Sequence, residues 1–181
     1  MKTVILFGSP RKDGNTHALV DAFARVIREK QHEVNVLYLG DLNICPCRGC
    51  LSCLEKGECT IDDDMEQVSR HIRTAEVVVY ATPIYWFGPS AQLKLVMDRS
   101  IAFLDGDYRS RVRGKKAVTL ITCADESHDT CQPALDMFRK TFELLGMTYV
   151  DHVEAVGCAD KGKVGSEMLR AAKRAAESVL L

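Results

Sequence analysis

Short apolar runs alternate with longer amphipathic stretches along the whole chain. The apolar runs predict five β-strands, at residues 3–8, 33–39, 76–81, 116–122 and 148–156. The stretches that follow them predict five helices, at residues 16–30, 63–74, 89–103, 133–145 and 165–180. Five successive strand–helix units favour a parallel sheet that is covered by helices on both faces.

The predicted strands differ in how continuously apolar they are, and this difference predicts their order in the sheet. Residues 4–7, 77–81 and 117–121 are almost entirely apolar, as expected for strands that are buried on both faces. The second and fifth strands interleave polar residues and are therefore expected at the edges. The predicted fold is a flavodoxin-like three-layer α/β sandwich with five parallel strands in the order 2-1-3-4-5. In that order a mononucleotide binds between the carboxyl ends of strands one and three.

The first loop, residues 8–16, joins the first predicted strand to the first predicted helix and reads Gly-Ser-Pro-Arg-Lys-Asp-Gly-Asn-Thr. The first N–H groups of a helix lack internal partners and the helix dipole is positive at that end, so such a loop is suited to bind a phosphate. Gly8 and Gly14 are expected to let the backbone approach the ligand. The alternative is an ordinary turn that is capped by a polar side chain. The predicted ligand-binding residues are Ser9, Pro10, Arg11, Asn15 and Thr16.

An aromatic segment follows the third predicted strand and reads Pro83-Ile84-Tyr85-Trp86-Phe87-Gly88. Aromatic side chains and backbone groups at this position can hold a flat conjugated ring. Since the segment and the first loop meet at the predicted switch point, the two together favour FMN as the ligand. The alternative is that the aromatic side chains cover the core or form a subunit contact. Cys123 begins a third loop at this rim, which would touch the flavin or gate a second substrate, or would simply lie on the surface.

The cysteine loop, residues 40–61, is the longest irregular stretch. It contains four cysteines with the spacing Cys-x2-Cys-x2-Cys-x5-Cys, namely Cys47, Cys50, Cys53 and Cys59. Four thiolates this close in sequence can surround one metal centre, and the successive three-residue steps resemble iron–sulfur ligation more than the paired spacing of zinc sites. Zinc and a loop of free thiols remain alternatives. The aspartates at 62–64 are expected to cap and charge the start of the next helix.

Composition and charge exclude several classes of protein. The chain has 24 Lys and Arg against 25 Asp and Glu, and this balance argues against a nucleic-acid-binding protein. No apolar run approaches the length of a membrane span. The first strand begins too close to the N-terminus to leave room for a signal peptide. We therefore expect a single domain over residues 1–181, located in the cytoplasm, where eight cysteines are expected as metal ligands or redox thiols.

Taken together, the motifs resemble the NADPH-dependent FMN reductase family, and more narrowly its iron–sulfur flavoprotein branch. The resemblance rests on the first loop, the cysteine run followed by Ile-Asp-Asp-Asp-Met at 61–65, Thr-Pro-Ile-Tyr at 82–85 and Lys-x3-Asp-Arg at 94–99. It implies bound FMN and a homodimer or homotetramer. By this resemblance, Ser9, Arg11, Asn15 and Thr16 would hold the FMN phosphate, residues 83–88 would line the ring, and the four cysteines would hold a [4Fe–4S] cluster.

The function that this resemblance implies is an FMN-dependent oxidoreductase. NAD(P)H would reduce the flavin, which would pass electrons to a quinone, a flavin or another small acceptor. The alternative is an electron carrier, in which the cluster exchanges electrons with a ferredoxin-like partner. A third possibility is a zinc-bound regulatory module without catalytic activity. Because the flavin carries the chemistry, no catalytic acid, base or nucleophile is predicted.

Overall fold

Five parallel strands form the central sheet in a computed structural model of the whole chain, residues 1–181. A sixth, two-residue strand pairs antiparallel with the end of the third. The strands are β1 (Lys2–Phe7), β2 (Glu33–Tyr38), β3 (Val77–Tyr85), β4 (Gly88–Pro89), β5 (Lys116–Thr122) and β6 (Thr148–Ala155). The order β2-β1-β3-β5-β6 is the predicted one, with β4 as an addition. The flavodoxin-like fold is therefore confirmed.

Helices cover both faces of the sheet. They are α1 (Asn15–Glu29), α2 (Ser52–Lys56), α3 (Met65–Thr74), α4 (Ala91–Asp98), α5 (Gln132–Leu144) and α6 (Ser166–Ser178). None of them is both long and apolar enough to cross a membrane. The short helix α2 lies inside the cysteine loop and was not predicted.

The helix predicted at 89–103 is shorter than expected. The Ser90 hydroxyl accepts a hydrogen bond from the Leu93 N–H and caps α4, so the helix begins after it. At its other end α4 gives way to a tighter 3₁₀ segment, Arg99–Phe103. This segment lies under the cysteine loop, because α2 packs against it.

Two apolar layers form on the two faces of the sheet, because successive residues of a strand point to opposite sides. Val4 and Leu6 of β1 pack with α3, α4 and α5, whereas Ile5 and Phe7 pack with α1 and α6. The inner strands β1, β3 and β5 are almost wholly buried, while β2 and β6 are only partly buried. The polar residues of the second and fifth predicted strands therefore marked the edges correctly.

The parallel pairing brings the carboxyl ends of four strands to one edge of the sheet. Phe7 of β1 pairs with Ala81 of β3, and Pro83 of β3 pairs with Thr122 of β5. Thr122 in turn pairs with Ala155 of β6. The first loop, the aromatic segment and the loops after β5 and β6 therefore lie side by side.

Candidate functional site

A cavity of about 230 Å³ opens at this edge of the sheet. Residues that follow β1, β3, β5 and β6 line it, which is the position expected for a ligand at the switch point of such a sheet. Eight predicted ligand-binding residues belong to the lining: Ser9, Arg11, Asn15, Thr16, Pro83, Ile84, Tyr85 and Cys123. The other four, Pro10, Trp86, Phe87 and Gly88, do not line the cavity.

The start of α1 leaves backbone donors free beside this cavity. Gly14 is the N-cap residue, and no side chain caps the helix. The first N–H to bond back is that of Ala18, to the Gly14 carbonyl at 3.3 Å. The N–H groups of Asn15, Thr16 and His17 precede it and have no partner within the helix. An anion at this point would receive several N–H donors and the positive end of the helix dipole.

Ser9 and Arg11 shape the first loop. The Ser9 hydroxyl accepts a hydrogen bond from the Arg11 N–H at 3.1 Å, which closes a tight turn. The Arg11 side chain then lies against Gly14, where an added Cβ would stand 3.2 Å from the Arg11 Cβ. The Arg11 guanidinium is exposed and pairs with no carboxylate, so its planar fork is free to bind an anion.

Thr16 joins the first loop to the end of β5. Its hydroxyl lies 2.8 Å from the hydroxyl of Thr122, and both residues are buried. Thr122 also lines the cavity, as do Ala124, Cys158 and Ala159, which were not predicted as site residues. Their positions in the sequence could have indicated them, because they lie at or just after the ends of the fourth and fifth predicted strands. In a parallel sheet those ends lie at the same edge as the first loop.

The side chain of Asn15 holds a loop of the protein itself. Its amide N–H groups donate to the carbonyls of Cys158 and Asp160 at 3.1 and 2.7 Å. Its amide oxygen accepts from the N–H groups of Gly162 and Lys163 at 2.9 and 3.1 Å. All four hydrogen-bonding positions of the carboxamide are thereby used. Asn15 can reach a phosphate through its backbone N–H, while its side chain positions the loop after β6.

Gly8 has a packing role rather than the ligand-approach role expected from the sequence. An added Cβ would lie 2.8 Å from the Leu93 Cβ and 2.9 Å from the Ser90 hydroxyl. Its carbonyl accepts a hydrogen bond from that hydroxyl at 2.6 Å. The glycine therefore permits α4 to pack closely on the first loop.

The tip of the aromatic segment is a two-residue hairpin turn between β3 and β4. Trp86 and Phe87 have φ angles of 48° and 65°, in the left-handed region that non-glycine residues rarely adopt. Their side chains are 95% and 55% exposed. Tyr85, which precedes the turn, is the aromatic residue that reaches the cavity. The three aromatic side chains thus divide between the cavity and the surface.

A second cavity, of about 100 Å³, is lined by all four predicted metal ligands, Cys47, Cys50, Cys53 and Cys59. Burial raises the pKa of Cys53, and the three other thiols raise it further. The thiols are therefore near enough to influence one another. The four thiols surround the cavity but do not converge on one point. Nowhere in the chain do three His, Cys, Asp or Glu side chains stand close enough to hold a metal ion.

Arg99 and Asp63 form a buried ion pair beside the cysteine cavity. The Arg99 Nη1 and Asp63 Oδ2 atoms are 2.5 Å apart, and each side chain is 1% exposed. Burial raises the pKa of Asp63, but hydrogen bonds from Arg99 and from the N–H groups of Cys45 and Met65 lower it more, so that its pKa lies below its ordinary value. Asp63 does accept from the first N–H of α3, as a capping residue would, but it also binds the cysteine loop.

The strand order and the cavity at the switch point define a flavodoxin-like protein, and the free N–H groups of α1 are donors of the kind that bind an anion. Comparison with known families makes the class specific. The chain belongs to the NADPH-dependent FMN reductase family, whose sequence model matches residues 1–161. The predicted family and its FMN reductase class are therefore confirmed.

Similar proteins carry the name of the predicted branch. The chain is 39% identical over 119 residues to an iron-sulfur flavoprotein of Methanocaldococcus jannaschii, a match that covers 65% of this chain and 62% of that protein. It is 29% identical over 174 residues to an iron-sulfur flavoprotein of Archaeoglobus fulgidus, covering 96% and 76%. The chain thus matches less than two thirds of the first of these relatives.

A solved structure supports the fold. The NAD(P)H:quinone oxidoreductase from Methanothermobacter marburgensis has a TM-score of 0.78 to this chain, with 19% sequence identity. The match covers 99% of this chain and 96% of that one. At this identity the likeness concerns the fold alone.

Proposed function

We propose that this protein is an FMN-dependent oxidoreductase that takes electrons from NAD(P)H and passes them to a quinone, a flavin or another small acceptor. The observation that carries the proposal is the cavity at the switch point. It combines the free N–H groups at the start of α1 with Arg11 on one side and with residues 83–85 on the other. Membership of the FMN reductase family supports the same function.

The phosphate of FMN would lie at the start of α1. There the backbone N–H groups of Asn15, Thr16 and His17 would donate to its oxygens, and the helix dipole would favour its negative charge. The Arg11 guanidinium would add two charge-assisted hydrogen bonds. Ser9 contributes by holding the loop in its turn.

The flavin ring would lie against the end of β3. Pro83, Ile84 and Tyr85 offer apolar surface there, and the small side chains of Ala124 and Ala159 leave space opposite. FMN, when bound, supplies the centre that accepts a hydride from a nicotinamide and returns electrons to an acceptor. The protein residues place the ring and shield one part of it from water.

The cysteine cavity fits a [4Fe–4S] cluster by the chemistry of its donors. Four thiols line one space, and an arginine lies beside them to offset the negative charge of thiolates. The iron-sulfur flavoprotein relatives support this assignment. They also favour a second candidate function, in which the protein exchanges electrons with a ferredoxin-like partner through the cluster.

A homodimer or homotetramer in the cytoplasm completes the proposal. The exposed Trp86 and Phe87 side chains offer an apolar surface that a second copy could cover. All eight cysteines are free thiols, which suits a reducing compartment.

The first experiment is anaerobic purification followed by assays of flavin, iron and zinc on one sample. We expect one FMN per chain and about four irons per chain. Steady-state oxidation of NADH and NADPH, compared with reduction by a ferredoxin, then separates the enzyme from the electron carrier. A protein that binds no flavin after incubation with FMN would contradict the central proposal, and zinc in place of iron would contradict the cluster.

A further inference from the structure

Three arginines from outside the cysteine loop donate hydrogen bonds to its backbone carbonyls. Arg99 is the most buried of them. Its Nη1 donates to the carbonyl of Cys45 at 3.2 Å, and its Nη2 lies 3.5 Å from the carbonyl of Ile61. Arg99 therefore joins the two ends of the segment that contains the four predicted ligands, and Asp63 holds the guanidinium in place.

Arg73, at the end of α3, holds the middle of the loop. Its Nη2 donates to the carbonyl of Gly57 and to that of Ala102, which belongs to the 3₁₀ segment. Its guanidinium also lies 5.1 Å from the centre of the buried Phe103 ring. The loop is thus attached to a buried part of the core.

Arg111 provides the third attachment. It donates to the carbonyl of Leu54 at 3.0 Å and to the carbonyl of Leu104. We call Arg73, Arg99 and Arg111 the arginine clamp. Together they bind carbonyls at positions 45, 54, 57 and 61, which enclose all four predicted ligands.

Carboxylates balance part of the positive charge of the arginine clamp, Asp63 beside Arg99 and Glu58 near Arg73. Arg99 is paired with Asp63, but Arg73 and Arg111 form no ion pair. Burial lowers the pKa of Arg73, and the neighbouring Arg111 lowers it further. Two guanidinium groups held together would be stabilised by further negative charge nearby, and the thiolate of Cys59, which lines a cavity with Arg73 and Glu58, is a group that can supply it.

Arg99 also has a donor to spare. Its Nε is buried and has no hydrogen-bond partner, although the other two nitrogens are used. Burial lowers the pKa of Arg99, but the hydrogen bond with Asp63 and the nearby Cys59 thiol raise it above its ordinary value. Arg99 and Cys59 both line the cysteine cavity, which places the Cys59 thiol beside this guanidinium.

We propose that the arginine clamp shapes the cysteine loop for an iron–sulfur cluster and that Arg99 stabilises the added negative charge of the reduced cluster through Cys59. The proposal rests on the proposed function of the cysteine loop. Cations and hydrogen bonds near the sulfurs of a cluster favour its reduced form. The three arginines are thus positioning residues, and no ligand role is assigned to them.

The test compares Arg99→Gln and Arg111→Gln with Arg109→Gln in the complete, reconstituted protein. Arg109 is a matched control, because its exposed side chain pairs only with Asp107. We expect Arg99→Gln to disfavour the reduced cluster about tenfold, a shift of about −59 mV for a one-electron couple. Arg111→Gln should lose iron faster on dilution, with FMN content unchanged in both. Unchanged potential and iron retention in these two variants would overturn the proposal.

A second measurement tests the effect of the arginine clamp on the loop without the cluster. It does not need the Arg99 variant, so it holds even if that variant folds poorly. In iron-free protein, the rate of Cys53 alkylation by iodoacetamide reports opening of the loop, because Cys53 is buried. Arg111→Gln should raise that rate about tenfold, and Arg109→Gln should leave it unchanged. If wild-type protein takes up no iron, the proposal of a cluster is contradicted. The rate of Cys53 alkylation then decides by itself whether the arginine clamp holds the loop.

Discussion

The side-chain oxygen of Asn15 accepts a hydrogen bond from the backbone N–H of Gly162 at 2.9 Å, across 147 positions of the sequence. This bond and its three companions tie the loop after β6 to the first turn of α1. The wall of the cavity is therefore tied to the end of α1 that carries the free N–H groups. An exposed ion pair between Lys161 and Asp13 adds a second link.

Replacing Asn15 by alanine should loosen that loop and weaken FMN binding together. Four backbone groups would lose a partner, and three of them belong to exposed residues that water can reach, so we expect a loss of about 0.5–1.5 kcal/mol in stability and about tenfold in FMN affinity. Hydrogen exchange of residues 158–163 and quenching of FMN fluorescence measure the two effects. Weakened FMN binding with unchanged exchange in the loop would show that the side chain contacts the phosphate itself.

Arg11→Gln should weaken FMN binding by about tenfold or more, since charge-assisted bonds to phosphate are worth about 1.5–3 kcal/mol. Riboflavin, which has no phosphate, should bind the variant and the wild type equally. Lys12→Gln is the matched control, because Lys12 is exposed and pairs with Asp41. Equal losses for FMN and riboflavin would indicate that Arg11 acts on the ring or on the fold.

Gly8→Ala should destabilise the protein by about 1–3 kcal/mol, because its new Cβ would lie 2.8 Å from the Leu93 Cβ of α4. Urea unfolding measures the change. Gly40→Ala is the control, since an added Cβ there meets no atom within 4 Å. If both substitutions were equally tolerated, α4 would have to pack less closely on the first loop than the structure shows.

Asp63→Asn should change the response of stability to acid. The pKa of Asp63 is below its ordinary value of 3.8 in the folded protein. The ionised Asp63 carboxylate therefore contributes to the stability of the fold above about pH 4. This contribution is lost as the pH falls through the pKa of Asp63 in the folded protein. The variant should lose about 3–5 kcal/mol at pH 7, as expected for a broken buried pair.

The stability of this variant should then depend less on pH than that of wild type below pH 4. Urea unfolding of iron-free protein at pH 7, 5 and 3.5 measures this difference. Asp107→Asn serves as the control, because its partner Arg109 is exposed. If the stabilities of Asp63→Asn and wild type fell equally between pH 5 and pH 3.5, the buried ion pair would not be the source of the pH dependence.

Cys131 should resist alkylation in the folded protein. Burial and the nearby Cys123 thiol together raise the pKa of Cys131 to about 12. At pH 8 roughly one thiol in ten thousand would be ionised. Iodoacetamide should therefore modify the exposed Cys47 and Cys50 of iron-free protein first, as followed by mass spectrometry. Early modification of Cys131 would show that α5 opens on the timescale of labelling.

Much of the architecture follows from local patterns. A continuous apolar run indicates a strand that is buried on both faces. For this reason the sequence alone placed β1, β3 and β5 inside the sheet. The first loop could be nominated as a phosphate site because such a turn is a contiguous sequence. The four cysteines of the second cavity were recognisable for the same reason.

Other features depend on residues that only the fold brings together. The short helix α2 carries no strong pattern of its own, and Arg111, 57 positions beyond Leu54, contributes to its position. The turn at Trp86 and Phe87 places non-glycine residues at positive φ because β4 pairs back onto β3, a tertiary effect that opposes local preference.

The sequence by itself determined the order of the strands, the edge of the sheet where the loops that line the cavity meet and the thiols of the cysteine loop, since each depends on neighbours along the chain. Only the tertiary structure decided what those residues do. In the folded protein the Asn15 side chain binds a loop that is distant in sequence, and Gly8 allows α4 to pack closely. Arg99 pairs there with Asp63. The physical reason is that hydrogen bonds and close contacts are made between whichever groups the fold juxtaposes, and sequence spacing does not report those distances.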